Sequence, residues 1–97
     1  MTTLTTADIE AGFDNENWLG WGYLGERSRA TTRWEVGNAD QIVLRFANAL
    51  GWTADDLFAW ANSKDGRYFG DWAFGGFDLA NEPAWLPSLF PAHPAAR

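Results

Sequence analysis

A helix stop and a helix start lie back to back around Gly51, and few arrangements of backbone satisfy both. The stretch LRFANALGWTADDLFAWAN carries the signals. Upstream, Asn38 has the chemistry of an N-cap and Gln41 stands three positions on, a capping-box spacing. Ile42, Val43, Phe46, Ala49 and Leu50 then fall on one helical face. Gly51 suits the left-handed residue that ends a helix, with Trp52 placed to fold back over the last turn. Downstream, Thr53 is an N-cap, Asp56 is its third helical residue, and Trp52 and Leu57 have the spacing of a hydrophobic staple. Leu57, Phe58, Trp60 and Ala61 form the next apolar face. The pattern predicts a helix over 38–50 and a second from Thr53 to about Asn62.

The flanking segments are less uniform. Thr5, with Asp8 at the third helical position and Leu4 spaced to staple onto Ile9, starts a short N-terminal helix that Gly12 limits to a turn or two. Residues 13–37 mix glycines at 20, 22, 25 and 37 with Trp18, Trp21, Tyr23 and Trp34. Each glycine costs a helix about 1 kcal/mol relative to alanine. Partial period-two alternation leaves a short β-hairpin open beside an ordered aromatic loop with one helical turn, and the loop is the preferred reading. Ser63 caps a third helix, with Tyr68, Phe69, Trp72 and Ala73 on one stripe, Arg67 and Asp71 spaced to pair outside, and Gly75 and Gly76 as its stop. Prolines at 83, 87, 91 and 94 forbid a long helix thereafter. Trp85, Leu86, Leu89 and Phe90 are nevertheless too apolar for a solvated tail, so this segment either packs on its own domain, the preferred reading, or docks on a partner.

At 97 residues one domain, 1–97, is the expectation. Seven Trp, seven Phe and two Tyr exceed what so small an interior needs, so some rings are expected at the surface as a binding patch. Thirteen Asp and Glu against seven Lys and Arg leave a net charge of -6. That charge disfavours phosphate backbones and anionic lipid, and suits a basic protein surface. With no Cys there is no disulfide, thiolate nucleophile or Cys-based zinc site. No apolar run reaches the ~20 residues of a membrane span, and no basic segment followed by an apolar stretch opens the chain. A cytoplasmic protein is expected.

Chemistry is sparse. His93, the single His, sits in the Pro-rich tail, a poor mount for a general base. The acidic pairs Asp55–Asp56 and Asp14–Glu16 diverge along the chain, and carboxylates at helix starts are already accounted for by capping and the helix dipole. No zinc, nucleophile-elbow or phosphate-loop motif is present. Catalytic, cofactor and metal residues are therefore expected to be none. Ala47, Gly51, Leu57 and Trp60 do match the spacing of a helix-turn-helix. DNA readout needs donors and cations on the second helix, whereas Gly51 to Ser63 holds Asp55 and Asp56 and no Lys or Arg. Trp18, Trp21, Tyr23 and Trp34 are a second possible platform, for a sugar or single-stranded base, with Arg27, Arg29 and Arg33 the sole basic cluster.

From NENWLGWGYLGER through LFAWANSKDGRYFGDWAF, roughly residues 15–75, the chain resembles small accessory proteins of actinobacteriophages, which share a Trp- and Gly-rich opening and a similar ending after a helical hairpin. The resemblance implies an intracellular factor that engages a host or phage protein. It assigns no chemistry to any residue. The expected fold is mainly α: a small helical bundle containing a helix-turn-helix-like hairpin, a Gly- and aromatic-rich segment and a Pro-rich tail packed on it. The expected function is non-enzymatic protein binding through Asp55, Asp56, Trp18, Trp21, Trp85 and Phe90. A degenerate DNA-binding regulator and a self-associating assembly protein are the alternatives, and the oligomeric state is open.

Overall fold

A computed structural model describes residues 3–13, 22–75 and 79–94. Among them are five α-helices, α1 (Thr6–Phe13), α2 (Tyr23–Ser28), α3 (Arg33–Leu50), α4 (Ala54–Ala61) and α5 (Lys64–Phe74), followed by a 3-10 turn at Leu86–Leu89. No described residue is in a strand. No helix among them is long and apolar enough to cross a membrane.

The capping chemistry around Gly51 forms as its residues dictate. Gly51 has φ 72° and ψ 29°. Its N–H donates to the Asn48 carbonyl at 3.2 Å, and the Trp52 N–H donates to the Ala47 carbonyl at 2.9 Å. This is a Schellman stop, which satisfies carbonyls that the end of α3 would otherwise leave bare. Thr53 and Asp56 then close a reciprocal capping box: the Asp56 N–H donates to Thr53 Oγ1 at 3.1 Å, and the Thr53 N–H to Asp56 Oδ2 at 2.9 Å. Ser63 caps α5, its Oγ accepting from the Gly66 N–H at 3.2 Å. At the start of α1 the Thr5 N–H donates to Asp8 Oδ2 at 2.8 Å. Leu4 and Ile9 are both buried there, as a staple requires.

Two expectations are corrected. Asn38 does not cap α3. The helix begins five residues earlier, where Thr32 Oγ1 accepts from the Glu35 N–H at 3.1 Å, and Asn38 lies inside it with its Nδ2 donating to the Trp34 carbonyl at 2.8 Å. The alternation of Thr32, Trp34 and Val36 is thus one turn of helix and not a strand. Second, glycine does not prevent a helix at 23–28. Tyr23, Leu24 and Gly25 are buried, and tertiary packing outweighs the local propensity cost. The Trp18 and Trp21 part of the proposed hairpin or loop lies outside the described residues.

The centre of the molecule is aromatic. Trp60, Tyr23 and Phe69 have no exposed surface, with ring centroids 5.3–5.8 Å apart. Helix α5 packs on α2, its broadest partner, and also on α3, α4 and the 3-10 turn. The close fit to α2 needs Gly70, where a Cβ would fall 2.8 Å from Glu26 Cγ and 3.2 Å from Tyr23 Cα. At the entry to α2, a Cβ on Gly22 would fall 1.5 Å from the Ala61 carbonyl oxygen. The Pro-rich tail packs on its own domain. Trp60 Nε1 donates to the Leu89 carbonyl at 2.6 Å and Trp52 Nε1 to the Pro91 carbonyl at 2.9 Å. Phe90 stacks on Phe46 at 4.3 Å and on Trp60 at 4.8 Å. Both buried indoles therefore have a partner for their N–H, as burial demands.

Candidate functional site

Helices α1 and α4 and the start of α2 surround a cleft of about 210 Å³. Ile9, Leu24, Leu57 and Phe58 give it an apolar lining, and Asp8 and Asp55 stand among the residues around it. Gly12 helps to leave the room, since a Cβ there would lie 3.3 Å from the Phe58 ring. Each carboxylate stands in the first turn of its helix, where the amide dipoles favour negative charge. Asp8 accepts the Thr5 N–H, and Asp55 is exposed. Neither forms an ion pair among the described residues. The result is a hollow with apolar side chains in its lining and two carboxylates at its edge, Asp8 engaged in the Thr5 cap and Asp55 exposed.

The expected site residues do not converge. Asp55 borders the cleft. Asp56, its neighbour, is engaged in the Thr53 capping box, so its carboxylate shapes α4. Trp85 is 37% exposed and lies elsewhere, edge-on to Tyr68 at 5.2 Å and to Trp72 at 5.7 Å. Phe90 is a core residue at 5% exposure, because the tail folds inward and stacks it on Trp60 and Phe46. It is not a surface anchor. Trp18 and Trp21 fall outside the described residues. The aromatic platform also divides: Tyr23 is fully buried, so it cannot stack on a sugar or base, whereas Trp34 is 60% exposed.

A search of family models, curated proteins and solved structures gives no match to this chain. Its chemistry must be read from its own residues.

Asp40 is not among the residues singled out by sequence pattern. This carboxyl is buried within the apolar stripe of α3, between Ala39 and Ile42. Tyr23 Oη donates to its Oδ1, and Arg27 Nε lies 3.2 Å from both oxygens. Arg27 also pairs with Glu10, so the network ties α1, α2 and α3 together. Loss of hydration, and secondarily the charge of Glu10, push the Asp40 carboxyl up to about 7. The Arg27 guanidinium works against that shift by favouring the carboxylate. A usable signal was present: position 40 shares a face with Val43 and Ala47, where α3 otherwise presents apolar side chains.

Among the described residues no three His, Asp or Glu side chains are grouped to hold a metal ion. His93 is exposed in the tail. A second groove of about 420 Å³ runs between α3 and residues 79–82, crossed by the Arg45–Glu82 ion pair. Its facing charges, Arg45 and Glu82, pair with each other.

Proposed function

We propose that this chain is a non-enzymatic protein-interaction factor whose cleft between α1, α2 and α4 takes a basic segment with an apolar tip from another protein. The supporting observation is the combination of an apolar hollow with Asp8 and Asp55, two carboxylates lacking a cationic partner among the described residues. An apolar anchor provides the burial energy of such a contact, and complementary charge provides register and rate. The net charge of -6 extends the same preference over the molecule. The resemblance to actinobacteriophage accessory proteins directs the search to host and phage proteins.

The test is affinity capture from the native cell with the unaltered chain and with Asp55→Lys, a substitution at an exposed position outside the capping box. The reading requires a protein retained by the first and released by the second. Equal retention by both would remove the cleft from consideration. A DNA-binding regulator is the second reading, favoured by the tight Gly51 turn between α3 and α4. Asp55 and Asp56 in the first turn of α4 oppose it, because a reading helix there would bring carboxylates to the phosphates. It predicts retention on duplex DNA that falls steeply with added salt.

A further inference from the structure

Helix α1 is shared between the cleft and the buried Asp40 network. Asp8, Ile9, Ala11 and Gly12 border the cleft, while Glu10 reaches the Arg27 guanidinium on α2. The helix is eight residues long, too short to persist in water alone, so its place depends on what it docks against. At its start, Asn48 of α3 bonds both the N–H and the carbonyl of Leu4, and Leu4 and Ile9 are buried. Glu10 ties it to α2, and the strength of that tie depends on the charges around Arg27.

One guanidinium there serves two carboxylates. Arg27 Nε lies 3.2 Å from both Asp40 oxygens, and its Nη2 donates to Glu10 Oε1. Tyr23 Oη also donates to Asp40, and the α4 and α5 side chains packed on Tyr23 are the uncharged rings of Trp60, Phe69 and Phe74. On α3 itself the residues one turn away, Val36, Gly37, Val43 and Leu44, carry no charge. Glu26, beside Arg27, is turned to Arg29 and to Gly70 of α5. The charges that bear on Asp40 among the described residues are thus Arg27 and Glu10. When Asp40 is ionised, two anions share one cation, and the buried one has no way out to water. Glu10, 51% exposed, does. A proton on Asp40 evens the charge and leaves Arg27 to Glu10. Burial and the Glu10 charge push the Asp40 carboxyl up to about 7, so this exchange falls near neutral pH.

Resting on the reading of the cleft as a protein-docking site, we infer that Glu10, Arg27 and Asp40 form a proton-controlled latch on its α1 wall. With Asp40 protonated, the undivided Glu10–Arg27 pair holds α1 in place and the hollow keeps its shape. With Asp40 ionised, its charge repels Glu10 and competes for Arg27, Glu10 turns to water, and α1 loosens. Docking into the preformed hollow is favoured on the acid side of neutrality. The coupling is reciprocal: a partner seated against α1 strengthens the hold of Asp40 on its proton, so docking near neutral pH takes up protons.

Amide hydrogen exchange of the full chain, corrected for the intrinsic pH dependence of exchange, tests this. As pH rises from about 5.5 to about 8.5, the Glu10, Ala11 and Gly12 amides are expected to lose protection about fivefold or more relative to Val43 and Leu44 of α3. Asp40→Asn, which keeps an uncharged group at the centre, should leave α1 protected at both ends of that range. Glu10→Gln changes a half-exposed side chain outside the core, so the chain should still fold, with α1 loosened at both ends and the pH response gone. Protection of α1 that follows α3 at every pH would overturn the inference, as would an undiminished pH response in Glu10→Gln. If Asp55→Lys releases a captured cellular protein while α1 is indifferent to pH, the docking site stands and the latch does not. If α1 responds as expected but no captured protein depends on Asp55, the latch stands and the docking site does not.

Discussion

The seam where α2 meets α5 and α4 and the exposed start of α3 are built from the same residue types, glycine and large aromatics, with opposite results. In the seam, Gly22 and Gly70 sit where neighbouring residues approach, and Tyr23, Trp60 and Phe69 fill the space with no exposed surface. At the start of α3, Gly37 faces open space and Trp34 stands 60% exposed. Glycine in the first place allows approach within the molecule; in the second it leaves room outside it. A glycine–aromatic composition therefore does not by itself distinguish interior from contact surface. The packing neighbours make that distinction.

Substitutions sharpen the contrast, beginning with the largest effect. Gly22→Ala must displace backbone at Ala61 and is expected to cost about 3 kcal/mol or more, read from the urea midpoint. A loss below ~1 kcal/mol would show that the seam is looser than the geometry requires.

The Asp40 network beside the seam comes next. Its carboxyl holds a proton up to about 7 in the folded protein, against an unfolded value of ~3.9. The folded state thus binds more protons between those values. The associated stability is fully present below about 4 and is lost as pH rises through about 7, a decline on the order of a few kcal/mol. Asp40→Asn keeps an acceptor for Tyr23 and should flatten the decline. An identical slope in the variant would assign the pH dependence to other groups.

At the open end the effects are small and of different sign. Gly37→Ala is expected to raise stability by roughly 0.5–1 kcal/mol, because the added methyl meets nothing and the helix gains propensity. A destabilised variant would mean that Gly37 has a neighbour after all. Trp34→Ala should change stability by about 1 kcal/mol or less, since most of the side chain is exposed. Thermal denaturation measures both.

Local chemistry was legible wherever it is closed within a few residues. Thr53 with Asp56, Ser63 with Gly66, Thr5 with Asp8, and the left-handed Gly51 all occur where their spacing requires, because a cap satisfies donors or carbonyls one turn away. Asn38 shows the limit of that reasoning: its side chain could cap, but Thr32 was available upstream, where its Oγ1 takes the Glu35 N–H, and the helix starts there although none of residues 33–38 is buried. Phe90 and Trp85 show another limit. They are five residues apart in one Pro-rich segment, yet the first is in the core and the second stands partly in solvent. The distinction depends on Trp60 and Trp52, some thirty to forty positions earlier, whose N–H groups bond the tail backbone.

The order of residues by itself determined that this chain would be mainly helical, that a helix would end at Gly51 and another begin after Thr53, and that large rings would dominate the interior. Those outcomes depend on backbone groups and periodicities that act over one or two turns. Tertiary structure alone decided that Asp40 would be buried against Tyr23 and Arg27, that Asp8 and Asp55 would share one cleft, and that Trp34 would remain outside. Each of these depends on which helix faces which, through contacts between residues too far apart in the chain for local spacing to connect them.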